Sequence, residues 1–150
     1  MSTSSFSSLR SVHINPVCLP DVTQDFSGQQ RCYVTGWGKD AFKDGNYQHV
    51  LKEVRVPVVR NDICESMLQR TRLGPRFELA EGFLCAGGEE GKDACKGDGG
   101  GPLVCEVNGL WHLAGIVSWG VGCGEYNVPG VYVKVSHYEN WIKEQLLRRV

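Results

Sequence analysis

Short stretches of alternating apolar and polar positions, parted by glycine, proline and asparagine, run through most of the chain. A period of two places successive side chains on opposite faces of a strand. Residues 31–37 read as one strand and residues 50–59 as another, the second setting Val54, Val56 and Val58 on one face and Arg55 on the other. Further strands are predicted at 83–86, 103–107, 110–119 and 130–135. Asn108-Gly109 joins the middle pair, and this dipeptide is the strongest two-residue hairpin signal because both positions accept positive φ.

Twice the period lengthens to that of a helix. Asn61 or Asp62 is placed to cap a short helix carrying Ile63, Met67 and Leu68, and residues 73–82 then read as loop. Near the end of the chain Ser136 and Glu139 have the spacing of a capping box. Trp141, Ile142 and Leu146 would follow on one face, with Glu144 opposite Arg148. The pattern predicts an all-β domain ending in an α-helix, without internal repeats.

Composition narrows this picture. A chain of 150 residues buries enough surface for one core but hardly two. Its net charge of -1, with no block of five or more like charges, gives no means of attracting nucleic acid or an anionic membrane, and no apolar run reaches transmembrane length. Seven cysteines without a C-x-x-C pair fit a disulfide framework made in an oxidising compartment rather than zinc ligation, and sequence alone leaves their pairing open. Residues 1–13 read as a disordered Ser-rich leader before a domain at 14–150. The leader lacks the apolar core of a secretory signal peptide, so the expectation is a chain whose upstream portion is missing.

The richest stretch is Asp93-Ala94-Cys95-Lys96-Gly97-Asp98-Gly99-Gly100-Gly101-Pro102-Leu103-Val104-Cys105. Before it stands Tyr33-Val34-Thr35-Gly36-Trp37-Gly38. After it come Gly115-Ile116-Val117-Ser118-Trp119-Gly120, then Gly122-Cys123-Gly124 and Pro129-Gly130-Val131-Tyr132. In order and spacing these motifs resemble the second half of trypsin-like serine proteases, with Gly99 where that family has its nucleophilic serine. Glycine carries no atom that can attack a carbonyl. The base and orienting aspartate of such enzymes precede the serine in the chain. His13 and His49 precede Gly99 but lack the family's His-Cys context, and Asp21 and Asp25 belong to a polar linker at 20–30. A metal or phosphate site built from the cysteines or the glycine run fits no ligand spacing, and no cofactor is implied.

The resemblance implies an all-β fold: a trypsin-like antiparallel β-barrel, the second of two, with a C-terminal α-helix. It implies the pairs Cys32–Cys105, Cys64–Cys85 and Cys95–Cys123. Cys18 is left over, either a free thiol or the link to a preceding segment. It makes Asp93 the base of a primary specificity pocket that receives arginine or lysine, with Ser118, Trp119, Gly120 and Gly130 as its walls; the alternative is a surface loop acid without a ligand. Gly97 and Gly99 would keep the backbone N–H groups of an oxyanion hole, which needs no side chain. Asp98 is expected to be solvated or unpaired.

With glycine at the nucleophile position, the runs Cys64 to Gly74, Cys85-Ala86-Gly87-Gly88-Glu89 and Lys92 to Gly100 closely resemble arthropod clip-domain serine protease homologues of the prophenoloxidase-activating-factor type. That similarity implies an inactive, secreted module that binds a protein partner, a cascade protease or prophenoloxidase, in innate immunity. The other reading is a member of the Arg/Lys-directed endopeptidases whose catalytic half lies elsewhere.

Overall fold

The computed structural model describes residues 14–148, so the leader predicted for residues 1–13, with His13, lies outside them. Among the described residues seven strands form: β1 (Cys32–Gly36), β2 (Lys52–Arg55), β3 (Val58–Val59), β4 (Phe83–Gly87), β5 (Pro102–Val107), β6 (Leu110–Trp119) and β7 (Pro129–Lys134). Two α-helices accompany them, α1 (Asn61–Gln69) and α2 (Glu139–Leu147), the latter entered through a 3-10 turn at Val135–Tyr138. Every strand pair is antiparallel, in the order β2-β1-β5-β6-β7-β4-β3.

The two edge strands are consecutive in the chain, so the sheet curls until Val56 and Pro57 link its margins. Val56 N–H donates to the Cys32 carbonyl at 2.9 Å on one side, and Gly87 N–H to the Pro57 carbonyl at 2.9 Å on the other. The predicted all-β barrel with a terminal helix is therefore the fold that forms. The single strand predicted over 50–59 is nevertheless two: Pro57 has no N–H to give a ladder, and across it the chain changes partner from β1 to β4. The alternation held through the break. Val56 and Val58 are inside, Val54 is half-buried and Arg55 faces solvent. Asn108 and Gly109, at φ 51° and 78°, make the predicted two-residue turn between β5 and β6.

Both helix starts differ from the sequence reading. Arg60, not Asn61 or Asp62, is the N-cap of α1, and it makes no side-chain cap. The Asn61 amide instead donates to the Phe83 carbonyl at 3.0 Å, anchoring the helix to β4, while the Asp62 carboxylate turns back to Arg60. Cys64 and Leu68 are the buried positions of α1, and Ile63 is exposed because Cys64, not Ile63, is drawn inward by its disulfide. At α2 the capping box does not form. The intervening 3-10 turn makes Tyr138 the N-cap, Ser136 Oγ is buried without a partner, and Glu139 pairs with Lys143 one turn on. Trp141 and Leu146 are about 60% exposed rather than turned inward. Glu144 and Arg148 meet through a backbone hydrogen bond and form no ion pair among the described residues.

One core fills the barrel, centred on Val34, Val56, Leu103 and Tyr132, and a second lies between α1 and strands β4 and β7 around Leu68 and Val131. Fully burying a leucine or valine stabilises by about 1.5–3 kcal/mol, so Leu68 adds to the hold that Asn61 and Cys64 give α1 on β4. Three disulfides connect Cys32–Cys105, Cys64–Cys85 and Cys95–Cys123, as the resemblance implied. Each closes a chain loop, and the freedom this removes from the unfolded chain contributes about 3–4.5 kcal/mol of stability on the entropy account. The half-exposed thiol of Cys18 has no disulfide partner among the described residues. Its backbone adds a short parallel bridge to β6, Cys18 N–H donating to the Trp111 carbonyl and Leu113 N–H to the Cys18 carbonyl, both at 2.9 Å.

Candidate functional site

The connection from β4 to β5 brings the candidate residues together beside the end of β6. β6 and β7 lose register between Val117 and Trp119, which leaves Ser118 unpaired and exposed at the bend. Trp119 and Gly120 then turn along a cleft of about 250 Å³. Asp93, Val117, Gly130, Tyr132 and the Cys95–Cys123 bridge line the rest of it. All five residues expected at the pocket thus line one cleft.

Asp93 is held there asymmetrically. Its Oδ2 accepts from the Gly124 N–H at 3.1 Å, whereas Oδ1 is buried without a partner. Burial pushes the carboxyl pKa up to about 6, against the opposing pull of the Gly124 and Ala94 N–H groups, and the nearby Asp98 charge adds to the rise. The Tyr132 hydroxyl lines the same cleft, is also buried without a partner, and is pushed well above the usual phenol range, first by burial and then by Asp93 and Asp98. A β-carbon on Gly130 would lie 2.7 Å from Asp93 Oδ1, so glycine is what leaves the carboxylate reachable. The free Asp93 Oδ1 and the unpartnered Tyr132 hydroxyl beside it suit a ligand that brings several N–H donors and a positive charge.

At the glycine run the geometry is permissive. Gly99 has no neighbour within 4 Å of where a β-carbon would be, and its φ lies outside the left-handed region. Neither the Gly97 nor the Gly99 N–H finds an acceptor among the described residues. Asp98 is not solvated or unpaired as expected. Its Oδ1 accepts from the Gly38 N–H at 2.7 Å and its Oδ2 from the Cys95 N–H at 2.9 Å, because the loop turns the carboxylate under β1. A β-carbon on Gly36 or Gly38 would overlap that carboxylate, which accounts physically for the Gly36-Trp37-Gly38 motif.

The remaining groups considered as catalytic partners do not converge on the cleft. His49 is exposed in the connection from β1 to β2, and no histidine among the described residues lines the cleft. Asp21 and Asp25 accept hydrogen bonds from Thr23 and Ser27 within their own linker. Two residues escaped the sequence reading. Phe42 lines the cleft, and Tyr47 covers Gly97, where a β-carbon would come 2.6 Å from the ring; Lys39 lies over that ring at 5.4 Å. Both aromatics sit in a polar loop without periodicity, so nothing in the pattern marked them. No group of acidic, histidine or cysteine side chains suited to a metal occurs among the described residues, and no described helix is long and apolar enough to cross a membrane.

A curled antiparallel sheet, three disulfides, a terminal helix and a glycine-rich loop beside an acid-based cleft define a protein of the trypsin-like fold class. The trypsin family model matches residues 7–142, and the chain belongs to that family. The Inactive CLIP domain-containing serine protease A28 of Anopheles gambiae is 52% identical over 136 residues, covering 90% of this chain and 35% of that protein. Phenoloxidase-activating factor 2 of Galleria mellonella is 48% identical over 141 residues, 91% of this chain and 46% of that protein. Human Testisin is 43% identical over 134 residues, 88% of this chain and 42% of that protein. The chain therefore spans less than half the length of each.

Proposed function

We propose that the chain, over residues 14–150, is the second-barrel portion of a non-catalytic trypsin homologue that binds rather than cleaves. The observation that carries this reading is Gly99: the nucleophile position holds no reactive atom, while the Asp93 cleft beside it keeps an unpartnered carboxylate oxygen. Gly97 and Gly99 retain N–H groups free to hold a peptide carbonyl, and such donors without an attacking group bind and do not convert. The ligand of the cleft is an arginine or lysine side chain presented by a protein. Pairing a desolvated carboxylate with a cation in a narrow site is worth more than at the surface.

The names of the relatives extend the reading. Several are called inactive CLIP-domain serine proteases and one a phenoloxidase-activating factor, which supports a regulatory role in an extracellular protease cascade such as prophenoloxidase activation in innate immunity. Three disulfides fit secretion. The half-exposed Cys18 thiol is the atom that would tie this barrel to a segment before it. The endopeptidase alternative fails on Gly99, since another chain supplying histidine and aspartate does not supply the missing oxygen.

Two measurements on one sample test the proposal. Purified protein should bind benzamidine, a small aromatic cation, and should release no product from an arginyl amide. Turnover that co-purifies with the chain, or an Asp93→Asn variant that binds benzamidine as well as the parent, would overturn it.

A further inference from the structure

Between α1 and β4 the chain makes a closed excursion. The Gln69 side-chain amide donates to the Phe77 carbonyl at 2.9 Å, fastening the two ends of residues 70–76. Inside it, Thr71 N–H donates to the Leu68 carbonyl, Gly74 N–H to that of Thr71 and Phe77 N–H to that of Gly74. Beyond it, Leu79 N–H donates to Glu65 at 2.8 Å. The segment is Arg-Thr-Arg-Leu-Gly-Pro-Arg, with three arginines and no acid, in a chain whose formal net charge is -1. Arg70, Arg72 and Arg76 are all exposed, and none makes an ion pair among the described residues. Loop closure at Gln69 and Phe77 brings Arg70 and Arg76 to the same end of the excursion.

The surface beside it is aromatic. Phe77 packs edge-on to Trp119 at 5.8 Å between ring centroids, and Trp119 lines the Asp93 cleft. A pre-ordered loop of unpaired arginines next to half-buried aromatic surface has the composition of a protein interface, where arginine and aromatic residues are enriched. Its rigidity lowers the ordering cost of association. Guanidinium groups suit carboxylates through paired hydrogen bonds. Three charges on one short loop, flanked by Glu65 and Glu78, do not make the extended basic strip that a polyanion such as a sulfated glycan or nucleic acid needs.

We infer that residues 70–76 are a docking loop for an acidic segment of a protein partner, separate from the cation-binding Asp93 cleft. The test is fluorescence anisotropy with the full chain and a labelled peptide, Glu-Leu-Glu-Glu-Leu-Glu. Replacing the arginines together (Arg70→Glu, Arg72→Glu, Arg76→Glu) should weaken binding by about tenfold or more, and Arg→Lys at all three by clearly less, since lysine keeps charge but not the planar fork. Asp93→Asn should leave peptide binding unchanged, which separates this loop from the cleft. If the charge-reversed variant melts early, salt decides: parent affinity should fall about tenfold from 50 mM to 500 mM sodium chloride. Equal binding by a folded charge-reversed variant, salt-insensitive binding, or arginine-dependent binding of heparin without binding of the peptide would each overturn the inference.

Discussion

Gly130 and Asp93 are set so that a single added carbon on the glycine would come within 2.7 Å of the free carboxylate oxygen. The Tyr132 ring and hydroxyl stand 3.3 and 3.4 Å from the same point, so the new methyl group has nowhere to retreat. Gly130→Ala should lower benzamidine affinity by at least about tenfold and destabilise the fold by about 1–3 kcal/mol, the usual effect of overpacking. Calorimetric titration and thermal melting read the two effects. Undiminished affinity in the variant would show that ligands enter by another route.

Acidity should switch the cleft. With the Asp93 pKa at about 6, most of the carboxyl groups are neutral at pH 5 and charged at pH 8. Cation affinity should therefore rise about tenfold over that interval, with its midpoint near pH 6. An affinity flat across the range would remove Asp93 from the site.

The same group should act on stability with a definite sign. Its folded-state pKa of about 6 lies above the ordinary 3.8, so the native state holds the proton more tightly. Stability contributed by protonation is present in acid and lost as pH rises through about 6, on the order of 3 kcal/mol in all. Asp93→Asn should thus be more stable than the parent at pH 8, by about 2–3 kcal/mol, and nearly equal to it at pH 4. Denaturant melts at both values decide the matter, and an asparagine variant that is weaker at pH 8 would contradict it.

Restoring the side chain should not restore chemistry. Gly99 has open space and an ordinary backbone conformation, so Gly99→Ser should fold with a stability change within about 0.5 kcal/mol. No histidine lies in the cleft among the described residues, so the new hydroxyl has no base to activate it. Amidolysis by the variant would mean that a base sits within reach after all.

The three disulfides should yield to reductant in order. Cys32, Cys64, Cys85 and Cys105 are fully buried, whereas Cys95 and Cys123 are half-exposed and line the cleft. Limited dithiothreitol followed by alkylation and mass spectrometry should mark Cys95 and Cys123 first, with benzamidine binding lost before the far-ultraviolet signal. Early labelling of Cys64 or Cys85 would reverse this order.

Most of the strand pattern was legible because burial imposes a period of two, and valines 54, 56 and 58 kept that period even where Pro57 divided their strand. The cleft residues were legible only through motif resemblance, since nothing local distinguishes Asp93 from another loop acid. What escaped depended on contacts distant in sequence. Asp98 reaches a backbone amide sixty residues away, at Gly38, and Tyr47 covers Gly97 from a loop without pattern. The C-terminal helix misled for a related reason. Its apolar positions obey the helical period, yet Trp141 remains exposed beside a hollow lined by aliphatic and aromatic side chains from β6, β7, the 3-10 turn and α2.

The empty volume at Gly99 has a practical use. A Gly99→Cys thiol would project into unobstructed space at the rim of the Asp93 cleft, and a photoreactive maleimide attached there would face whatever protein had seated a basic residue in it. Irradiation would leave a permanent bond to that protein, turning a contact too brief to purify into a conjugate whose mass identifies the partner.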